Sequence, residues 1–241
     1  MTPRLLRTHL GWTLAGLGFL LAWDASGLDL ALARRVADSH GFALRDHWLL
    51  SGLLHAGARR LGWLLALWLI LGLWWPTGVL RRLARPERLQ WAAGTLLALL
   101  LVSSLKFFSR TSCPWDLAEF GGVATYLSHW TWPLYDGGPG RCFPAGHAST
   151  GFAFVAGYFA LRERSPRQAG YWLAGALAAG LVLGLAQQLR GAHFMSHTLW
   201  TAWLCWSLAF GLDALFRIFR PSGAPANPET PALPPAPAPT S

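Results

Sequence analysis

Leu89-Gln-Trp-Ala-Ala-Gly-Thr-Leu-Leu-Ala-Leu-Leu-Leu-Val-Ser-Ser-Leu105 contains no Asp, Glu, Lys or Arg and stops at Lys106. A stretch of that length crosses the hydrocarbon layer as a helix, because only a helix pairs its own backbone where lipid offers no partners. Working outward, comparable runs fall at 8–23, 61–80, 148–161, 168–189 and 198–212. The chain therefore reads as an all-α polytopic membrane protein with six transmembrane helices in one bundle. The first, fourth and sixth runs are short and must draw on their flanks. Of the 241 residues, 53% are hydrophobic and only 13% charged, too few charges for an ordinary soluble domain. The fifteen Trp, many near span ends, suit an interfacial belt.

Residues 24–60 mix charge with Leu28, Leu30, Leu32, Val36, Leu44, Trp48, Leu49, Leu53 and Leu54. They read as an amphipathic outer-surface helix between spans 1 and 2, with His40, His47 and His55 structural or solvated. Arg4 and Arg7 before an apolar run also resemble a signal peptide. The small residues around Ala25 to Gly27 match a cleavage site only weakly, so an uncleaved span is preferred. Residues 1–220 form the membrane domain. Residues 221–241, rich in Pro and Ala and without apolar periodicity, read as a disordered cytoplasmic tail.

Short loops set the orientation. Arg4 and Arg7, then Arg81, Arg82, Arg85 and Arg88, then Arg162, Arg164 and Arg167, then Arg217 and Arg220 fall on one side, which becomes the cytoplasm. That side has eleven basic residues against four acidic; the other has nine against seven. The net charge of +9 thus records topology and contact with anionic membrane lipid, and nucleic acid is excluded as a partner by the lack of a basic soluble domain. Both termini are then cytoplasmic.

Three clusters lie on the opposite face. The first runs from Lys106, the only lysine in the chain, through Arg110 to Asp116. The second is Arg141-Cys-Phe-Pro-Ala-Gly-His147, entering the fourth span after Gly137, Gly138 and Gly140. The third is Gln187-Gln-Leu-Arg-Gly-Ala-His-Phe-Met-Ser-His197. Between the first two, residues 117–140 with Gly121, Gly122, Trp130 and Trp132 would cover a site or select substrate. Ionisable groups at membrane edges are costly, so three clusters at the ends of neighbouring spans point to a site. Lys106, Arg110, Arg141 and Arg190 supply cations, and His147, His193 and His197 carry protons. That set suits phosphoryl chemistry: cations hold nonbridging oxygens, one neutral imidazole attacks phosphorus, and a protonated one serves the leaving oxygen.

Lys106-x6-Cys113-Pro114, Pro144-Ala145-Gly146-His147 and Gln187-x5-His193-x3-His197 resemble, in order and spacing, the motifs Lys-x6-Arg-Pro, Pro-Ser-Gly-His and Ser-Arg-x5-His-x3-Asp. Those motifs mark the type-2 phosphatidic acid phosphatase, or lipid phosphate phosphatase, superfamily, which includes vanadium haloperoxidases and bacterial acid phosphatases. The resemblance spans roughly residues 50–215. It implies a phosphatase of the bacterial inner membrane acting on a lipid phosphate or diphosphate at the periplasmic face. His193 would form a phosphohistidine, His147 would protonate the leaving group, Lys106 would bind phosphate, and Gly146 would bring backbone N–H groups close. Neither cofactor nor metal is implied.

Four positions depart from the family pattern: Cys113 and Gln187 replace arginines, Ala145 replaces serine, and His197 replaces the aspartate that orients the nucleophile. Arg110, Arg141 or Arg190 would restore charge, His197 would accept the nucleophile's N–H as a neutral ring, and Asp116 is a second orienting candidate. Cys113 and Cys142, each beside a motif, are either a periplasmic disulfide or two free thiols. Three alternatives stay open: a lipid phosphotransferase with the same intermediate, a metal- or haem-binding membrane protein using His193, His197 and His147, and a non-catalytic scaffold on the same fold.

Overall fold

A computed structural model describes residues 3–131 and 134–218. Trp132, Arg220 and the 221–241 tail lie outside the described residues. The chain is mostly helical: α1 Pro3–Ala25, α2 Leu28–Val36, α3 Ala58–Leu71, α4 Arg85–Phe108, α5 Gly146–Phe152, α6 Ala156–Leu161, α7 Pro166–Leu189 and α8 Met195–Ile218. A two-stranded antiparallel hairpin, β1 Ala37–Asp38 and β2 Gly41–Phe42, turns through Gly41 at φ 108°.

Five helices are long and apolar enough to cross a membrane: Arg4–Ala25, Leu49–Leu71, Arg85–Phe108, Pro166–Leu189 and Met195–Ile218. The second corrects the expected span at 61–80. A π-helical turn, Leu49–Gly57, runs directly into α3, so the helix begins twelve residues earlier and ends before Gly72. Arg59 and Arg60 interrupt the apolar run without interrupting the helix, and both are exposed. Residues 24–60 are accordingly not one amphipathic helix: they divide into α2, the hairpin and the start of the second long helix.

The expected fourth span at 148–161 lies in the run Gly146–Leu161, made of α5, a 3-10 turn Ala153–Val155 and α6. Neither helix alone is long enough to cross a membrane, and the run is buried almost throughout, packed against α4, α7 and α8. Small residues permit that. A Cβ on Gly151 would lie 2.2 Å from the Gly180 backbone nitrogen, and one on Gly94 would lie 2.9 Å from Ala156 Cβ. Close backbone approach replaces the hydrophobic drive that lipid cannot supply between helices. Trp91 fills the remaining space edge-on to Trp172, at 4.7 Å between rings.

The bundle has two polar ends. At one, buried Asp213 of α8 accepts from Gln90 of α4 at 3.0 Å, Arg162 after α6 at 2.5 Å and Arg217 at 2.9 Å. The other end gathers the C-termini of α1, α4 and α7 with the N-termini of α5 and α8, and carries all three motif clusters. Asp29 of α2 caps α8 there, accepting the Ser196 N–H at 3.0 Å and the Ser196 hydroxyl.

Candidate active site

The last turn of α4 delivers Lys106 to the mouth of α5. A Cβ at Gly146 would lie 3.3 Å from Lys106 Cδ, so the lysine stem runs over the first residue of α5. His147 follows, half-buried, and its Nε2 is buried without a hydrogen-bond partner among the described residues. The His147 ring stacks on His55, with ring centres 3.6 Å apart. Lys106, Gly146 and His147 share a cavity of about 360 Å³ with Arg59, and Leu96, Leu99 and Leu100 of α4 form an apolar wall.

His55 is the residue that sequence reasoning set aside. It sits in the π-helical turn, where Arg190 donates to its Nδ1 at 3.2 Å. The same guanidinium nitrogen donates to Gln187 Oε1 at 3.2 Å, and Nε donates to the Arg45 carbonyl at 2.7 Å. With Nδ1 accepting, the His55 proton belongs on Nε2. Gln187, the neutral residue at a motif arginine position, thus holds Arg190 three residues later. The i, i+4 pair of His55 and Arg59 was the one available signal, weak by itself. His40 and His47 are exposed.

The third cluster is built on a tight corner. Gly191 has φ 76°, and a Cβ there would meet the Phe42 ring at 2.3 Å, so both conformation and space demand glycine. The corner buries His193. Its Nδ1 lies 3.4 Å from His197 Nδ1, a long contact in which one ring carries the proton, and 3.5 Å from Cys142 Sγ. Burial first, then the nearby charge of Lys106 and the rings of His197 and His147, hold the His193 imidazole well below its ordinary value. It is therefore neutral at pH 7, with a lone pair available.

Cys113 and Cys142 are joined by a disulfide. Backbone pairs from Arg141 to Ser109 and from Cys142 to Thr111, at 2.8 and 2.9 Å, stitch the first motif to the second beside it. The Ala145 N–H donates to the His197 carbonyl at 3.2 Å, tying the second motif to the third. Ala145 itself is fully buried.

The remaining candidates lie elsewhere. Arg141, exposed at φ 57°, sits over the Phe107 ring at 4.7 Å. Arg110 lines a separate hollow with His129 and Asp136. Asp116 accepts the Cys113 backbone N–H at 3.2 Å, a loop contact, and burial raises its carboxyl. A carboxylate that sequence reasoning did not single out, Asp24 at the end of α1, accepts the indole N–H groups of Trp130 and Trp200, each at 2.9 Å. His129 Nε2 lies 3.3 Å from the same oxygen without hydrogen-bond alignment, and its ring stacks on Phe143 at 4.2 Å.

The family model described as the PAP2 superfamily matches residues 88–220, more than half of the chain. The chain belongs to the PAP2 superfamily. PAP2 proteins are phosphatases acting on phosphate esters, and here that chemistry sits in a bundle of membrane-length helices. The PAP2 match includes all three motifs but excludes Asp24, His55 and Arg59. No curated protein and no solved structure matches the chain.

Proposed function

We propose that the protein hydrolyses the phosphate or diphosphate end of a membrane lipid through a phosphohistidine on His193. One observation carries the lipid assignment: the cavity lined by Arg59, Lys106 and His147 is lined also by Leu96, Leu99 and Leu100. A charged head and an apolar chain need that pairing of surfaces in one groove.

In this reading Lys106 and Arg190 hold the nonbridging oxygens, and Gly146 lets the backbone approach them. Neutral His193 attacks phosphorus through Nε2 while its Nδ1–H donates to His197. The bond from that phosphorus to its leaving oxygen, the lipid oxygen of a monophosphate or the bridging oxygen of a diphosphate, breaks as His147 passes its proton to that oxygen. Water then cleaves the P–N bond, releasing inorganic phosphate and restoring the imidazole. Arg190 is the favoured replacement for the missing motif arginines, since Arg110 and Arg141 face other surroundings.

The buried run Gly146–Leu161 serves as a sixth crossing, with both termini in the bacterial cytoplasm and the site facing the periplasm. The arginine asymmetry of the loops supports that orientation, as does the Cys113–Cys142 bond, because disulfides persist in an oxidising compartment.

Phosphate release from purified lipid phosphates and diphosphates in detergent tests the reading. The wild-type chain releases phosphate, His193→Ala and His147→Ala lose about 1,000-fold, and Arg190→Ala loses more than Arg110→Ala or Arg141→Ala. Undiminished release by folded His193→Ala overturns it.

A further inference from the structure

Cys142 contributes more than a crosslink. Its sulfur lies 3.5 Å from His193 Nδ1, and that nitrogen lies 3.4 Å from His197 Nδ1. Ligand atoms of all three residues fall within 4.8 Å of one another, and all three residues are buried. A tetrahedral zinc ion with Zn–N of about 2.05 Å and Zn–S of about 2.3 Å sets ligand edges of about 3.4 Å between nitrogens and about 3.6 Å between nitrogen and sulfur. The two measured edges match that figure. What the disulfide denies is the thiolate: a half-cystine sulfur has no charge to give a cation, and its 3.0 Å approach to the Ala192 carbonyl is a contact without a hydrogen.

We propose that reduction of the Cys113–Cys142 disulfide opens a zinc site made of Cys142, His193 and His197, so that the bond keeps the site in its metal-free form. A dithiol reductant breaks the S–S bond by exchange and becomes a disulfide itself, and its two protons pass to the sulfurs of Cys113 and Cys142. Zinc binding then expels the thiol proton of each coordinating cysteine to solvent, while the His193 proton moves from Nδ1 to Nε2, His197 keeps its proton on Nε2, and both rings ligate through Nδ1. Cys113 Sγ, released from the same bond, takes the fourth position, and water takes it where Cys113 is absent. With Nε2 of His193 protonated, that ring has no lone pair for phosphorus.

The test uses the full-length protein in detergent, with Zn²⁺ counted after desalting and Co²⁺ as the spectroscopic probe. The oxidised protein takes up none. Phosphine-reduced wild type, and Cys113→Ser without reductant, take up about one equivalent and give tetrahedral cobalt bands with thiolate charge transfer. Reduced Cys142→Ser and His197→Ala lose it. Cys113→Ser lacks the disulfide as well, so a loss confined to Cys142→Ser belongs to the ligand. Buried Cys205 is present in every form and serves as background. Equal uptake by oxidised and reduced wild type, or by reduced Cys142→Ser and reduced wild type, overturns the proposal. A further arm, phosphate release lost on reduction with zinc and regained with chelator, rests on the phosphatase reading; the metal counts do not, so the two failures are told apart.

Discussion

At the residue scale, His55 separates what spacing reveals from what folding adds. Lys106, His147 and His193 are legible as candidates because each stands at a fixed step within a short motif, and Arg190 as one of three candidates for a missing charge. His55 is not, because its partner Arg190 lies 135 residues away in the chain. Its ring covers one face of His147 and accepts from Arg190, so it sets the position of both. His55→Ala should lower kcat for phosphate release about tenfold with a smaller change in KM, the pattern of misplaced groups. His40→Ala and His47→Ala, on exposed rings, should stay within about twofold. Steady-state kinetics on the three variants decides whether His55 belongs to the site.

At the element scale, apolar runs located the helices at 8–23, 89–105, 168–189 and 198–212 well, because lipid demands long uncharged segments. The same rule misplaced the second helix. Arg59 and Arg60 broke the hydropathy, yet long side chains keep their charge in water while their stems run along the helix. Gly146–Leu161 shows the opposite limit: its small residues read as one more apolar run, whereas packing makes it the centre of the bundle. Gly151 is where that packing is least forgiving. Gly151→Ala drives a methyl against the α7 backbone and should cost at least about 1–3 kcal/mol. Gly175→Ala on α7, with nothing within 4 Å of its Cβ, should be neutral or slightly stabilising. Thermal unfolding in one detergent compares them directly; equal midpoints would refute the packing account.

For the molecule as a whole, burial of imidazoles ties stability to pH. Burial lowers His129 and His193 below the ordinary value near 6.5, so the unfolded chain takes up protons there that the folded chain refuses. The stabilisation is complete above pH 6.5 and shrinks as pH falls toward the folded values. Asp116, raised by burial, acts with the opposite sign, but its window opens upward from a carboxyl value of 3.8. The unfolding midpoint should therefore drop between pH 7.5 and 5.5, and His129→Phe should flatten that slope. A midpoint that rises on acidification contradicts the assignment.

The segment recognised as PAP2, 88–220, is not a portable unit. Asp24 arrives from α1, outside it, and a single carboxylate oxygen takes two indole protons from Trp130 and Trp200 within it. A chimera that transplants 88–220 onto another N-terminal helix would inherit every motif and still leave both indoles without an acceptor. The N-terminal helix and the matched segment are therefore coupled through one carboxylate: a substitution at Asp24 asks for an answer at Trp130 and Trp200.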